Sequence, residues 1–440
     1  MAKLTGELVF EDSPEYEKAR QDLIKLYQSY PYVIVFARNV EDVRNAVWWS
    51  RERNVALRVR GGRCSIEGWS NVNNGVVLDI SQLKDITIDA KRRKVRVGAG
   101  VLQGELTNAL SDTGFYTALG DEYILGLIGV LLGGGIGLLS RHKGPGCDSL
   151  REVTLVLADG SVVTANSREH ADLFFACRGG GGGNFGVVTS FVMELYVAPT
   201  RVVSFSATWP TLDFFHVYDR WQHWAPFVKD DRLSSKIESH EDVIDVKGVF
   251  LGTLAELGDM LHPMQTVAVG DWTVTEMPFA QWFHGAPSAE QPFQKYSPMW
   301  MFDPIPQQGL VAIYKHLKAA PSRQSNFFSL AWGGATHNVP DSGTAFPNSH
   351  RRALFYSEPG AEWSNPANNA YALSWVATLR QQLQDFFHGG YVNVVDRSIA
   401  QYGAEYYGRK NYGRLQRIKK RYDPDNVFHF EQSVPVCQQK

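Results

Sequence analysis

The chain has 440 residues, 44% hydrophobic and 20% charged, with 44 Lys and Arg against 46 Asp and Glu. That length exceeds one ordinary core and fits about two domains. The near-neutral balance, whose densest basic cluster is Lys91-Arg92-Arg93-Lys94, argues against nucleic-acid binding. The opening residues lack the apolar core of a signal peptide, and the longest apolar stretch, about 124–139, is broken by glycine and too short to cross a bilayer. A cytoplasmic protein without a membrane partner is therefore expected. The four cysteines make neither a disulfide framework nor metal-ligand spacing, so no metal is expected. The many aromatics suggest an aromatic-lined pocket, with a bulky core as the plainer account.

Residues 32–38 form a β-branched run. Asn39-Val40-Glu41-Asp42 then reads as an N-cap with acids in the first turn, leading a helix to about residue 53. Strands are expected at 56–59 and 75–80, a hairpin from 86–89 and 95–97 across the basic turn, and a helix at 102–110. Asp159-Gly160, between strand-like 153–157 and 161–164, suits a primed hairpin turn. A helix at 168–177 and a long strand at 187–195 follow. After Pro199 the pattern shifts to strands at 202–209 and 327–332, and 346–356 leads into another, with aromatics and helical stretches between them. This predicts a second domain built on a sheet. The tail turns helical at 412–422 and stops at Asp423-Pro424. The mixture reads as α+β, without a regular βαβ succession.

Three glycine clusters stand out: Gly61-Gly62 with Gly68, Gly133-Gly134-Gly135 with Gly137, and Gly179 to Gly183 with Gly186. Glycine lets backbone approach a ligand and turns N–H groups toward anionic oxygens. Three such clusters beside element ends favour a long phosphate-bearing cofactor over ordinary turns. The run Gly98-Ala99-Gly100-Val101-Leu102-Gln103-Gly104 superficially resembles a nicotinamide dinucleotide fingerprint. The acid at the required spacing, Asp121, does not end a β-run, so this segment is read as a strand-to-helix turn.

These residues also carry a family resemblance. Arg60-Gly61-Gly62-Arg63-Cys64-Ser65-Ile66-Glu67-Gly68 resembles the R-S-G-G-H-S-x-E-G of berberine-bridge-enzyme-like proteins in the vanillyl-alcohol-oxidase superfamily. Residues 133–148 resemble that family's G-G-G-x-G-x-L-x-R-x-x-G-x-x-x-D, and 171–189 its next block. Arg414-Leu415, Lys419, Tyr422 to Phe428 and Gln432-Ser433 match its ending, although Tyr406-Tyr407-Gly408-Arg409-Lys410-Asn411 is one residue longer than usual. The resemblance implies an α+β fold: a two-subdomain FAD-binding domain from residues 1–199 and 405–440, with an inserted antiparallel-sheet substrate domain at 200–404. It implies an oxidase that passes a substrate hydride to FAD, with O2 as electron acceptor. For FAD contacts it points to Arg60, Gly61, Gly62, Arg63, Cys64, Ser65, Gly68, Gly120, Gly126, Gly129, Gly133, Gly134, Gly135, Gly137, Gly186, Val187, Val188 and Asn411.

Two departures qualify it. Cys64 stands where many relatives tether the flavin through histidine, and Glu122 about where some add a cysteine tether. Either FAD is bound without a covalent bond, the preferred reading, or the Cys64 thiolate forms a single cysteinyl link, favoured by Arg63 and nearby N–H groups. Val394 replaces the tyrosine that serves alcohol-oxidising relatives as base, in Tyr391-Val392-Asn393-Val394-Val395-Asp396. The replacement candidates are Tyr356, Glu358 and Tyr391; Leu354, Tyr356 and Glu358 share one strand face. His350-Arg351-Arg352 are candidates for an anionic substrate or for pairing with Asp396, and His142 reads as a loop residue. The composition points to a small, apolar or aromatic substrate of secondary-metabolite type. Two other readings stay open: an FAD-containing enzyme of non-redox cyclisation, and a flavin-binding protein without turnover.

Overall fold

The computed structural model describes residues 2–267, 270–284, 291–338 and 343–437. Its first sheet grows from the β-branched run. Strand Val33–Phe36, fully buried along its length, pairs in parallel with Val76–Asp79, which pairs in parallel with Leu57–Arg60; Glu7–Phe10 closes the edge antiparallel. Helix Val40–Arg53 makes the crossover between Val33–Phe36 and Leu57–Arg60. The Asn39 side chain caps it by accepting from the Asp42 N–H at 3.0 Å, and Asn54 ends it in the left-handed region. One βαβ unit therefore sits inside the α+β fold.

A second sheet is antiparallel, in the order Ile86–Asp89, Lys94–Gly98, Val187–Glu194, Leu150–Val156, Val162–Asn166. The Gly98–Gly104 run joins strand Lys94–Gly98 to helix Gln103–Leu110 as a turn. Helix Ala171–Ala176 is shorter than expected because His170, ahead of it, takes φ +45°.

The third sheet runs Asp271–Pro278, Arg201–Pro210, Val243–Phe250, Leu233–Ser239, Asn326–Ala331, Phe355–Trp363, Phe293–Tyr296, and Met299–Met301 also pairs with Phe355–Trp363. One face carries Ser235, Ser329, Phe355 and Ser357 against helix Phe214–Trp224: Trp221 Nε1 donates to Ser235 Oγ at 3.0 Å and Tyr218 OH bonds Ser329 Oγ at 2.6 Å. By strand alternation Lys236, Glu238, Phe328, Tyr356 and Glu358 share the opposite face, toward the first two sheets.

The chain then returns. Helix Tyr402–Tyr422 begins ten residues before the expected 412, with a kink at Gly408 (φ +69°). Its Leu415, Ile418 and Tyr422 enter the core of the first two sheets. Buried Lys419 donates to Asn184 O at 2.7 Å, Asp423 Oδ2 at 2.6 Å and Phe428 O at 2.5 Å, fixing the tail to the third glycine cluster. Arg141 is the main rivet to the third sheet, donating to the carbonyls of Leu233 (2.9 Å), Val228 (2.6 Å) and Trp332. No helix among the described residues is long and apolar enough to cross a membrane.

Candidate active site

Strand Leu57–Arg60 delivers the first glycine cluster to a long cleft of about 280 Å³. The cleft runs from Leu57 and Arg58, past Gly61 to Ser65, to Asn393, Val395 and Gln432. Gly126 and Gly129 form its second wall, and Gly181 to Gly183 with Gly186 and Val188 its third. Gly62 and Gly126 need to be glycine: a Cβ on Gly62 would lie 2.8 Å from Gly126 Cα and closer to its N. Glycine backbone on three sides, beside Arg58 and Arg63, suits a flat, diphosphate-bearing molecule. The cleft fits FAD.

Within it, Cys64 Sγ donates to Gly62 O at 3.0 Å, and Ser65 Oγ accepts from the Trp69 N–H at 2.9 Å. Arg63 stands where the family motif carries glycine and takes φ +60°, a conformation costing about 1–2 kcal/mol outside glycine. The Leu23 N–H holds its carbonyl at 2.9 Å, and its side chain remains 28% exposed, 3.6 Å from Asp79.

The other expected contacts lie off the cleft lining. Arg60 turns into the core, where it meets Asp79 at 2.9 Å, Asp22 at 3.5 Å and Ala19 O at 2.8 Å; it secures the loop from beneath. Gly68 packs on Tyr27, Gly120 donates to Gln103 Oε1 at 2.8 Å, and Val187 is buried in its strand. Gly133 and Gly134 lie under Asn393, Phe346 and Tyr391, while Gly137 donates to Ser140 Oγ at 3.0 Å. Asn411 Nδ2 donates to Ala345 O at 3.1 Å. The second glycine cluster thus builds the support under the 391–396 turn. Sequence reasoning missed Asn393, Val395 and Gln432 as lining residues, although all three lie in quoted motifs.

Beyond the cleft lies the face of the third sheet that is turned toward the first two sheets. Register sets Tyr356 opposite Leu330, Glu358 opposite Phe328, and Glu362 opposite Gln294. Tyr356 OH donates to Glu358 Oε2 at 2.5 Å. Burial pushes Glu358 up to about 7; the Tyr356 bond opposes this, and Glu122 and Glu362 add to it. Tyr356 is raised well above its ordinary value, first by burial and then by Glu358. Tyr391 is raised by burial as well, and its hydroxyl accepts from the Gly135 N–H at 2.8 Å and Asn393 Nδ2 at 2.9 Å. Tyr391 is thus a strut between the second glycine cluster and the 391–396 turn.

The surrounding wall is acidic. Glu362, raised by burial, accepts from Tyr296 OH at 2.8 Å. Asp121, also raised by burial, faces Lys236 and Glu238, and Glu122 adds to the field on Lys236. Lys236 Nζ lies 3.4 Å from Glu238 and 5.9 Å from the Phe328 ring centre. Glu238, His240 and Asp245 bring ligand atoms within 4.8 Å of one another, but Lys236 and Lys247 already lie 3.4 Å from Glu238.

Arg351 does not meet Asp396. It pairs with Asp148 at 2.7 and 2.6 Å and with Thr344 at 3.0 Å, so both terminal nitrogens of its guanidinium are engaged within the fold. His350 stacks on Trp300 at 5.3 Å and is pushed down to about 3 by burial. His142 bonds Asp231 at 2.9 Å.

Comparison with known proteins agrees with this geometry. Residues 31–166 match the family model for an FAD binding domain, and residues 390–435 the model described as berberine and berberine like. The chain is 39% identical to the uncharacterized FAD-linked oxidoreductase YgaK of Bacillus subtilis, over 98% of this chain and 97% of that protein. It is 37% identical to YvdP of the same organism, over 98% of each. Among solved structures, Physcomitrella patens BBE-like 1 superposes with a TM-score of 0.91 at 26% identity, over 98% of this chain and 97% of that one. With its glycine-walled cleft, its sheet face and relatives alike over nearly their whole length, the chain belongs to the berberine-bridge-enzyme-like family of FAD-linked oxidoreductases.

Proposed function

We propose that the protein oxidises a small organic substrate held between the FAD cleft and the sheet face, with Glu358 as general base and O2 as the final electron acceptor. In this reading residues 1–199 and 405–440 hold FAD together with Asn393 and Val395 of the 200–404 insertion, whose sheet holds substrate. The Tyr356–Glu358 pair carries it. A carboxyl held at about 7 is half ionised near neutrality, where a base works best. Tyr356, raised well above its ordinary value, stays protonated and fixes one Glu358 oxygen, leaving the other to take a substrate proton. FAD, when bound, supplies the hydride acceptor. Val394 has no proton chemistry, and the Tyr391 oxygen is already engaged by two N–H donors.

Phe328 and Tyr356 favour an apolar or aromatic substrate body. The carboxylates of Asp121, Glu122, Glu238 and Glu362 favour a substrate that also carries hydrogen-bond donors or a positive charge, and disfavour an anion. Anaerobic mixing with aromatic amines, aromatic alcohols and oligosaccharides tests the reading. Bleaching of the flavin by an aromatic donor is expected. Bleaching by oligosaccharides alone overturns the substrate class; product without bleaching, or neither, overturns hydride transfer.

A further inference from the structure

Three buried charges that the site chemistry does not use meet at one point. Lys295, 5% exposed on strand Phe293–Tyr296, donates through Nζ to Glu67 Oε1 and, at 2.9 Å, to Asp396 Oδ1. Glu67 and Asp396 are each 1% exposed. Glu67 belongs to the loop that carries Cys64, and Asp396 directly follows the cleft-lining Val395. One ammonium from the third sheet therefore joins opposite lips of the FAD cleft.

The rest of the network locks those lips. Glu67 Oε2 takes Arg397 Nε at 2.6 Å. Asp396 Oδ2 takes Ser297 Oγ at 2.5 Å, its N–H donates to Tyr406 OH at 2.9 Å, and its carbonyl takes Nε2 of the lining residue Gln432 at 2.8 Å. Buried charges are tolerated only with partners in register, and an apolar residue in the place of Lys295 would take the shared cation from both carboxylates, leaving Glu67 to Arg397 and Asp396 to the hydroxyls of Ser297 and Ser398. Strand Phe293–Tyr296 also reaches the substrate face, through Tyr296 and Glu362.

We propose that Lys295 is a positioning residue for the flavin: it fixes the spacing between the Cys64 loop and the 391–396 turn, and ties that spacing to the substrate sheet. It touches neither FAD nor substrate, and its effect is read through the seat it sets.

The test is the visible circular dichroism of bound flavin in the K295M holoenzyme, a signal of the ring's surroundings whether or not the flavin is covalently held. In K295M, Glu67 faces Arg397 and Tyr27, and Asp396 faces Tyr406 and Glu405, itself paired with Arg380 at 2.5 Å. Without their shared cation the two buried carboxylates no longer hold the lips at one spacing, so the flavin bands lose about half their intensity or more. The K295M/D396N double variant removes one of the two negative charges and recovers the bands. A K295M spectrum that superposes on wild type, or a double variant as altered as K295M, overturns the proposal. Should K295M not fold, K295R carries the test: its planar head keeps the charge but not the ammonium's spacing, so the flavin bands shift. A K295R spectrum identical to wild type overturns the proposal.

Discussion

Tyr356 OH and Glu358 Oε2 lie 2.5 Å apart on one face of one strand, two residues apart in sequence. The phenol's proton stabilises the ionised carboxyl and so pulls Glu358 down, against the burial that lifts it to about 7. Tyr356→Phe removes the opposing bond, so the Glu358 value moves above 7. The acid limb of the anaerobic flavin-reduction rate against pH is expected to shift to higher pH in Y356F. A limb that stays in place, or moves down, contradicts the assignment.

Glu358→Gln keeps the side chain's size and removes its basicity. Loss of a positioned general base costs about 10²–10⁴-fold in rate. The flavin-reduction rate of E358Q is expected to fall by that order and to lose its dependence on pH near 7, because the group titrating there is gone. Flavin content should match wild type, since Glu358 lies outside the FAD cleft lining.

Tyr391 gives the opposite pattern. Tyr391→Phe leaves the buried Gly135 N–H without its acceptor, at about 1–3 kcal/mol. A lower melting temperature is expected, with flavin-reduction rates within about tenfold of wild type, less than a lost base would cost. A larger rate loss at unchanged melting temperature would return Tyr391 to the chemistry.

Most strands of the first two sheets, the FAD cleft and the shared strand face of Tyr356 and Glu358 were legible because each has a local signature. Asn39 caps a helix, Asp159-Gly160 turns a hairpin, and Tyr356 and Glu358 alternate on one strand. What the sequence hid is set by partners distant along the chain. Arg60 looks like a phosphate ligand until Asp22 and Asp79 claim it. Arg351 chooses Asp148, 203 residues away, and Lys295 reaches Glu67 across 228 residues. The acidity of the sheet face is equally nonlocal, since Asp121 and Glu122 approach Glu238 and Glu358 only when the sheets pack together.

Two glycines of the cleft separate fold from ligand. A Cβ on Gly62 meets the Gly126 backbone, which no rotamer change relieves, so Gly62→Ala is expected to lower both melting temperature and flavin content. Gly129 has nothing within 4 Å of its added Cβ, and it lines the cleft within helix Leu127–Gly133. Gly129→Ala should therefore melt at or above the wild-type temperature as apoprotein, helped by alanine's higher helix propensity, while binding FAD more weakly. Equal FAD binding in G129A would mean that the cofactor does not reach this wall.

The Cys64 thiol donates to Gly62 O at 3.0 Å, within its own loop. A covalent link needs the thiolate turned to the flavin, which gives up that bond and calls for a cation close to the sulfur. Arg63, the adjacent cation, instead stands 3.6 Å from Asp79 with its charge engaged there. Acid precipitation of the purified protein is therefore expected to leave yellow flavin in the supernatant and a colourless pellet, with Cys64→Ala behaving the same way. A yellow pellet from wild type that turns colourless in C64A would establish the cysteinyl link, and with it a rotation of Cys64 away from Gly62.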